Sequence, residues 1–405
     1  MFLANIKIKK IHTYFLPLAA FFILISPAAT NFFIVLAVLS SIFICVKNKD
    51  IINLFQRKSF IICSILYFFL VFSSIYSVAD NEQIFEVLKK YLKFLYIPII
   101  FYSIKINDSS NSIVRFFIIG ATIILFMSYL KYFSIFNFEL FYDFLRNINL
   151  SDTKEKIIHN ETAIFQNYII QGIIFSFFSF LCLIFGLKKK NNIYLILSTL
   201  SFINVLFMND SRAAYILIIV FLLLCFLFVI KNKNFKLGFL IVITLLMFTQ
   251  FSDNLKHRID FLNTDISYLK KDNYNSSLGL RILWSKIGLE NLKNKPILGY
   301  GAGSFKKTSE IYLMENNIPF EKNYITNNPH NEFISVSSQL GIVGLLFYFA
   351  FIFYLYKEAR EDVLSIGIIS MIFVTSIFNS AFYDNMLGLF LVITLCLTQQ
   401  SKLKV

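Results

Sequence analysis

Charged residues are scarce in this sequence: Asp, Glu, Lys and Arg make up 15% of the 405 residues, whereas 57% are hydrophobic. Residues 59–76, 214–230 and 339–356 contain none of the four. A helix that spans a bilayer needs about 20 largely apolar residues, so these runs predict transmembrane helices. Strands of a membrane barrel would alternate polar and apolar residues, and these runs are continuously apolar. The composition therefore excludes a soluble globular protein and favours a helical membrane protein.

Cysteine is sparse as well, and its placement excludes two further classes of site. All five cysteines lie inside apolar runs, with no Cys-x-x-Cys pair and no Cys/His ligand spacing. Neither disulfides nor a cysteine-ligated metal site is therefore expected. The net charge of +14 comes from Lys and Arg at the ends of apolar runs rather than from a basic domain, so nucleic acid is not an expected partner.

The apolar runs predict an all-α polytopic membrane protein with about twelve transmembrane helices. Residues 1–251 hold nine predicted helices, residues 252–335 form one large, partly helical loop, and residues 336–405 hold three more helices. The predicted spans lie near residues 13–29, 31–46, 59–78, 91–104, 113–136, 163–186, 193–208, 213–230, 237–251, 336–356, 363–380 and 385–398. The first run resembles a secretory signal, but we expect it to be retained because many similar helices follow.

Basic residues collect in alternate connections between the spans. These connections carry Lys47, Lys49, Arg57 and Lys58, then residues 188–190, then Lys231, Lys233 and Lys236, then Lys357 and Arg360, and finally Lys402 and Lys404. The pattern follows the positive-inside rule and predicts cytoplasmic N and C termini in a bacterial inner membrane. The loop at residues 252–335 is then periplasmic.

One segment of the large loop has helical spacing. Apolar residues recur at helical intervals over residues 278–292, which predicts a short amphipathic helix. Ser276 or Ser277 is suited to cap its start, and Pro296 stops it.

Two arginines lie at predicted outer helix starts. Arg212 falls in the first turn of the eighth span, and Arg281 falls in the first turn of the loop helix. A helix N terminus presents unpaired N–H groups and the positive end of the dipole, so an added Arg favours an anion site. The alternatives are an interfacial Arg212 that reaches to lipid headgroups and a solvated Arg281.

A histidine and an aspartate share this side of the membrane. His330 directly precedes the tenth span, and Asn327 or Asn328 with Pro329 at the first helical position would place it in the first helical turn. The helix dipole would keep its imidazole neutral and available as a general base, although a structural, hydrogen-bonded histidine is the alternative. Asp384 lies at the outer start of the last span.

Three glycines alternate at Gly299, Gly301 and Gly303. Such a run would let backbone approach a phosphate, but it lacks the Walker lysine pattern and a βαβ context. A plain tight turn is the alternative interpretation.

These motifs together resemble those of the O-antigen ligase family of lipopolysaccharide assembly. The family signature is similar to His330-Asn331, nine residues, then Gly341 and Gly344. Ser211-Arg212, Arg281 with Trp284, and the Gly299 to Gly303 run resemble further family blocks in the same order, and the resemblance covers residues 205–356. The superfamily also contains O-antigen polymerases and protein O-oligosaccharyltransferases. Twelve spans with one dominant periplasmic loop look most like the ligase, since polymerases usually have two comparable arginine-rich loops.

The resemblance implies transfer of O-antigen from undecaprenyl diphosphate to a sugar of the lipid A core, without a cofactor, ATP or a metal. Donor, acceptor and membrane lipids are the implied partners. Arg212 and Arg281 would bind the diphosphate, and His330 would take the proton from the acceptor hydroxyl. Asp384 would orient His330 or bind the acceptor. The large loop has no Asp/Glu cluster suited to Mg²⁺.

Two alternatives stay open at this stage. An O-antigen polymerase would use the same chemistry on a growing glycan. A lipid-linked glycan transporter would place charges at mid-depth along a central cavity, whereas the predicted spans are nearly charge-free and show no internal repeat.

Overall fold

The computed structural model describes residues 2–139, 162–229, 274–319, 321, 324–359 and 362–398, with side chains for all of these except residues 2–11, 277 and 398. These residues form helices and no strands, which confirms the all-α prediction. The helices are α1 (Phe2–Phe22), α2 (Pro27–Lys47), α3 (Ile51–Leu54), α4 (Lys58–Ser73), α5 (Asn81–Tyr91), α6 (Lys93–Asn107), α7 (Ser110–Tyr132), α8 (Tyr168–Lys189), α9 (Asn192–Ile203), α10 (Arg212–Leu224), α11 (Ser277–Asn294), α12 (Phe305–Glu315), α13 (Glu332–Ala359), α14 (Val363–Phe378) and α15 (Asn385–Thr398).

Six helices in the described part of the chain are long and apolar enough to cross a membrane: α2, α4, α7, α8, α10 and α13, with α4 and α10 counted together with the short turns that extend them. Three apolar helices are shorter, namely α9 with its terminal π turn, α14 and α15. Large apolar side chains such as Phe43, Phe68 and Phe126 are about 60% exposed on the outer faces. Such a surface suits lipid rather than water. The predicted total of about twelve spans stays a prediction, and the predicted ninth span at residues 237–251 lies outside the described residues.

The region of the predicted fourth span divides into two helices. α5 is a separate amphipathic helix that the sequence analysis did not predict, and α6 begins only at Lys93. The buried side chains of α5 include Val87 and Tyr91. α6 continues from this point and packs against α15. The break between the two helices brings Lys93 to the start of a buried helix.

The tenth predicted span is not one straight helix. Gly341 has φ +63° and ψ −158°, which interrupts α13 and leaves a first arm at residues 332–340 and a second arm at residues 342–359. The Phe333 ring stacks on the Phe349 ring with centroids 5.2 Å apart. In a continuous helix these two residues would be separated by about 24 Å along the axis. The two arms therefore fold back on each other as a helical hairpin.

A loop at residues 296–303, called the glycine loop below, satisfies the backbone groups that this reversal frees. The amides of Tyr300 and Gly301 donate to the carbonyls of residues 338 and 339 at 2.9 Å. In return, Ile342 donates to the carbonyl of Pro296 at 2.7 Å. Unpaired backbone groups within a membrane bundle are costly, so a break in a helix is tolerated where neighbouring backbone replaces the lost bonds.

The large loop adds its own small core to this end of the bundle. α11 confirms the predicted loop helix, with the Ser276 hydroxyl accepting from the Gly279 amide and with the helix ending at Asn294, before Pro296. α11 and α12 bury Leu283, Trp284 and Phe305 together. α11 also packs on α13, where Gly288 gives room for Ile334. The described part of the loop is thus fixed to the first arm of α13.

Candidate active site

His330 lies just before α13, and the prediction that it lies in the first helical turn is wrong. The helix begins at Glu332, and the Asn331 side chain caps it by accepting from the Ile334 amide at 3.0 Å. His330 itself has φ +52°, a left-handed conformation that is uncommon for residues other than glycine. Its amide donates to the Asn328 side chain at 2.9 Å, which supports this backbone. Residues held in such conformations are concentrated at functional sites.

The His330 ring is held between two helices. Its Nδ1 lies 3.2 Å from the Asn379 side-chain oxygen, just past the end of α14. On the α11 side, the Trp284 ring lies 5.5 Å from the imidazole, and its indole N–H donates to the Tyr324 carbonyl. Burial, together with the positive charge of Arg281, lowers the pKa of His330, while Asn379 and Asp384 oppose that shift. The imidazole is therefore neutral near pH 7. The sequence analysis predicted a neutral imidazole too, but from the helix dipole rather than from burial.

The two predicted arginines lie near each other. Arg212 is the first residue of α10, after the Ser211 cap, and is exposed, whereas Arg281 is half-buried in the first turn of α11. Burial and the charge of Arg212 lower the pKa of Arg281, and its guanidinium remains protonated at neutral pH. Within the described ranges, no carboxylate lies in salt-bridge range of either guanidinium. Two adjacent positive charges without a counter-ion favour an anionic ligand.

Asp384 lies where the sequence predicted, at the start of α15. Its carboxylate accepts from the Leu387 amide at 2.9 Å and so caps this helix. The charge of Asp384 acts on His330, but Asn379, and not Asp384, is the side chain hydrogen-bonded to the imidazole. Asp384 therefore does not orient the ring directly, and binding of the acceptor remains its proposed role.

Four of the five motif glycines are placed against protein backbone, and Gly344 is placed against a side chain. A Cβ on Gly299 would lie 2.6 Å from Gln339 C, and one on Gly303 would lie 2.9 Å from Gln83 C. Gly301 packs in the same way against the end of α4. All three have positive φ, so the tight turn is the interpretation that the geometry supports. Gly341 makes the reversal of α13, and Gly344 lets the Leu340 side chain of the opposite arm approach.

Residues 379–384, called the strap below, include the predicted Asp384, but the sequence analysis missed Asn379 and the residues that anchor this segment. The strap joins α14 to α15 and is held by two buried charged residues: the Glu332 carboxylate accepts from the Phe382 amide at 3.2 Å, and the Lys93 ammonium donates to the carbonyls of Phe382 and Asp384 at 2.9 Å each. Both residues were visible as charges at the edge of apolar runs, and Lys93 falls inside the predicted span 91–104. An ionisable residue at such a position is a functional hypothesis by default. Asn379 gave no comparable signal.

No group of three or more His, Cys, Asp or Glu side chains comes together among the residues that the structure describes. Independence from metal ions stays a prediction.

One comparison with known families gives a match over the middle of the chain. Residues 196–349 match the family model of O-antigen ligase, a range that includes Arg212, Arg281, His330 and all five motif glycines. No protein with a curated description matches the chain. The match supports transfer of a lipid-linked glycan by a membrane protein of the ligase and polymerase superfamily. The resemblance seen in the motifs is thereby confirmed, and the chain is similar to the O-antigen ligase family over residues 196–349.

Proposed function

We propose that this protein is an O-antigen ligase that transfers polysaccharide from undecaprenyl diphosphate to a sugar of the lipid A core, at the periplasmic face of the bacterial inner membrane. The observation that carries the proposal is the neighbourhood of three residues. Arg281 lies close enough to His330 to lower the pKa of its imidazole, and Arg212 lies close enough to Arg281 to lower the pKa of that guanidinium. Neither arginine has a carboxylate partner in the described chain. The two unpaired cations suit a diphosphate. The neutral imidazole suits an acceptor hydroxyl, because it can take the hydroxyl proton.

The arginines bind the leaving group in this mechanism. A guanidinium pairs with two phosphate oxygens at once and keeps its charge at any physiological pH. Negative charge grows on the diphosphate as the bond between the anomeric carbon and the phosphate oxygen breaks. Arg212 and Arg281 therefore stabilise the transition state more than the ground state, and their main contribution is to the rate.

His330 activates the acceptor. Its Nε2 takes the proton from the sugar hydroxyl as the hydroxyl oxygen attacks the anomeric carbon, and the electron pair of the broken bond leaves with the diphosphate. The buried, tryptophan-lined position keeps the imidazole neutral, because burial lowers its pKa. Asp384, the last residue of the strap, is proposed to bind the acceptor sugar. The metal-free, nucleotide-free reaction is part of the proposal.

An apolar groove of about 550 Å³ supports a polyprenyl donor. Val220 of α10, Phe353 of α13 and Phe373 of α14 are among its lining residues. The same three helices carry the candidate site: α10 begins at Arg212, α13 follows His330, and α14 ends before Asn379. A lipid tail lying in this groove could extend along α10 toward Arg212, where its diphosphate would be bound.

The proposal is tested by transfer in vitro with purified protein, a defined undecaprenyl-diphosphate glycan and a purified lipid A core. A ligase joins glycan to the core, whereas a polymerase lengthens the glycan on its carrier and a transporter leaves both substrates unchanged. His330→Ala should lose about 10² to 10⁴ in turnover, the usual contribution of a general base, while still retaining the lipid-linked donor.

His12→Gln is a matched control, since His12 is buried at a distance from the site and bonds to Ser41 and Asn107. It should transfer at the wild-type rate. A His330→Ala protein that inserts normally and is fully active would remove His330 from the mechanism.

A further inference from the structure

The orientation of the Asn379 side chain can be assigned from its contacts. Its Oδ1 lies 3.0 Å from the Ser380 amide nitrogen and 3.2 Å from His330 Nδ1. A backbone N–H can only donate, so the atom that faces it must be the amide oxygen and not the NH₂ group. That oxygen can only accept. The hydrogen bond to His330 therefore requires a proton on Nδ1.

This assignment determines the chemistry of the other ring nitrogen. A neutral imidazole carries one proton, so a proton on Nδ1 leaves Nε2 with a free lone pair. Nε2 is then the acceptor atom that a general base needs. A carboxylate in place of Asn379 would also hold Nδ1–H, but its negative charge would favour the imidazolium, which has no base function. A neutral amide fixes the tautomer without adding a charge beside the ring.

Asn379 is itself held in place. Only 8% of its surface is exposed, and its backbone N–H donates to the Thr375 carbonyl at 2.8 Å at the end of α14. Asn331, the neighbour of His330, donates from its side chain to the Ile377 carbonyl at 3.0 Å. The strap that follows is anchored by Glu332 and Lys93, as described above. Asn379, the hydrogen-bond partner of the imidazole, is therefore fixed in position by the helix ends next to it.

We infer that Asn379 is a positioning residue, which holds His330 in the tautomer protonated at Nδ1 so that Nε2 faces the acceptor as the base. The inference rests on the proposed function for its consequence in catalysis, but the tautomer itself can be measured without any substrate. Besides Asn379, the described groups that act on the His330 charge are Arg281 of α11 and Asp384 of the strap.

The first measurement is ¹⁵N NMR of histidine-labelled protein above pH 7, since a protonated and an unprotonated ring nitrogen have well-separated shifts. The chain has four histidines, so the His330 signals are assigned by their loss in His330→Gln. We expect Nδ1 protonated in the wild type and a mixture of tautomers in Asn379→Ala. A wild-type ring protonated at Nε2 would overturn the inference, as would an Asn379→Ala spectrum identical to the wild type.

The second measurement is the pH profile of transfer. Asn379→Asp should stay active at high pH, but its acid limb should move upward by about 1 pH unit or more, because an adjacent carboxylate stabilises the imidazolium. Asn379→Ala should lose at least about 10-fold in kcat with little change in KM for the donor. A purely structural role would move neither the acid limb nor the tautomer.

Asn191→Ala is the matched control. It also removes an asparagine at a helix end, where the side chain accepts from the Ile193 amide, but at the start of α9 after the basic residues 188–190. It should change neither the profile nor the His330 spectrum. If the tautomer is confirmed and Asn379→Asp nevertheless keeps the wild-type pH profile, then Asn379 is not a positioning residue for catalysis. If His330→Ala is fully active, the role of His330 as the base fails while the tautomer assignment stands. If the wild type transfers no glycan to the core, the proposed function fails, and the tautomer can still be measured.

Discussion

Replacing Gly341 by Ala tests the helical hairpin on which the position of His330 depends. Gly341 is at φ +63° and ψ −158°, a region of backbone space that is essentially restricted to glycine. A Cβ at this position would overlap the Ile297 carbonyl and lie 2.7 Å from the Leu298 nitrogen. Both obstacles are backbone atoms of the glycine loop and cannot move aside by a change of rotamer. Gly341→Ala should therefore separate the glycine loop from the reversal of α13.

Two contributions set the size of the effect of Gly341→Ala: backbone strain at residue 341 and the loss of hydrogen bonds between the glycine loop and α13. Backbone strain in such a region costs about 1–3 kcal/mol, which is a factor of about 5 to 150 in the population of the hairpin. Separation of the glycine loop from α13 also breaks the hydrogen bonds that the amides of Tyr300, Gly301 and Ile342 donate, each of which contributes about 0.5–1.5 kcal/mol net. The hairpin should thus be substantially opened and His330 displaced from Asn379.

The assay combines thermal unfolding of the purified protein in detergent with cross-linking across the hairpin. Cysteines at Phe333 and Phe349, whose rings are 5.2 Å apart, should be joined by a short bis-thiosulfonate linker, which could not span about 24 Å in a continuous helix. Gly341→Ala should lower both the cross-linking yield and the unfolding midpoint. The control is Ile342→Ala, whose side chain is 45% exposed and which should change stability by less than about 0.5 kcal/mol. Wild-type cross-linking, stability and transfer in Gly341→Ala would refute the reasoning.

Four further predictions concern the arginines, Asp384, the metal and the topology. Arg212→Lys and Arg281→Lys keep the positive charge but lose the planar guanidinium, so both proteins should insert normally and lose most transfer activity. Full activity of both lysine variants would exclude bidentate diphosphate binding. Asp384→Asn should lose less activity than His330→Ala. EDTA and omission of nucleotide should leave transfer by the purified protein intact, and a loss that Mg²⁺ restores would contradict the arginine-only mechanism. A reporter that is active only in the periplasm should be active when fused after Lys295 and inactive after Lys189, and the reverse pattern would overturn the orientation.

Local sequence patterns were sufficient for much of the architecture. The charge-free runs determined which segments are apolar helices, because composition alone decides whether a segment can be buried in lipid. The loop helix with its Ser276 cap, and the positions of Arg212 and Asp384 at helix starts, followed from capping chemistry that acts over a few residues.

Tertiary structure decided which groups hold the His330 ring. The sequence around residues 327–330 offers a plausible cap and a proline, but contacts with Asn328 and the strap place His330 before the helix instead. Gly341 appears from sequence as one small residue in an apolar helix; that it reverses the chain depends on the glycine loop about 40 residues earlier. Asn379 carries no local signal at all, since its role comes from a hydrogen bond across 49 positions. Capping and hydropathy are properties of neighbours along the chain, whereas the tautomer of a buried histidine is set by whichever group the fold brings to its ring.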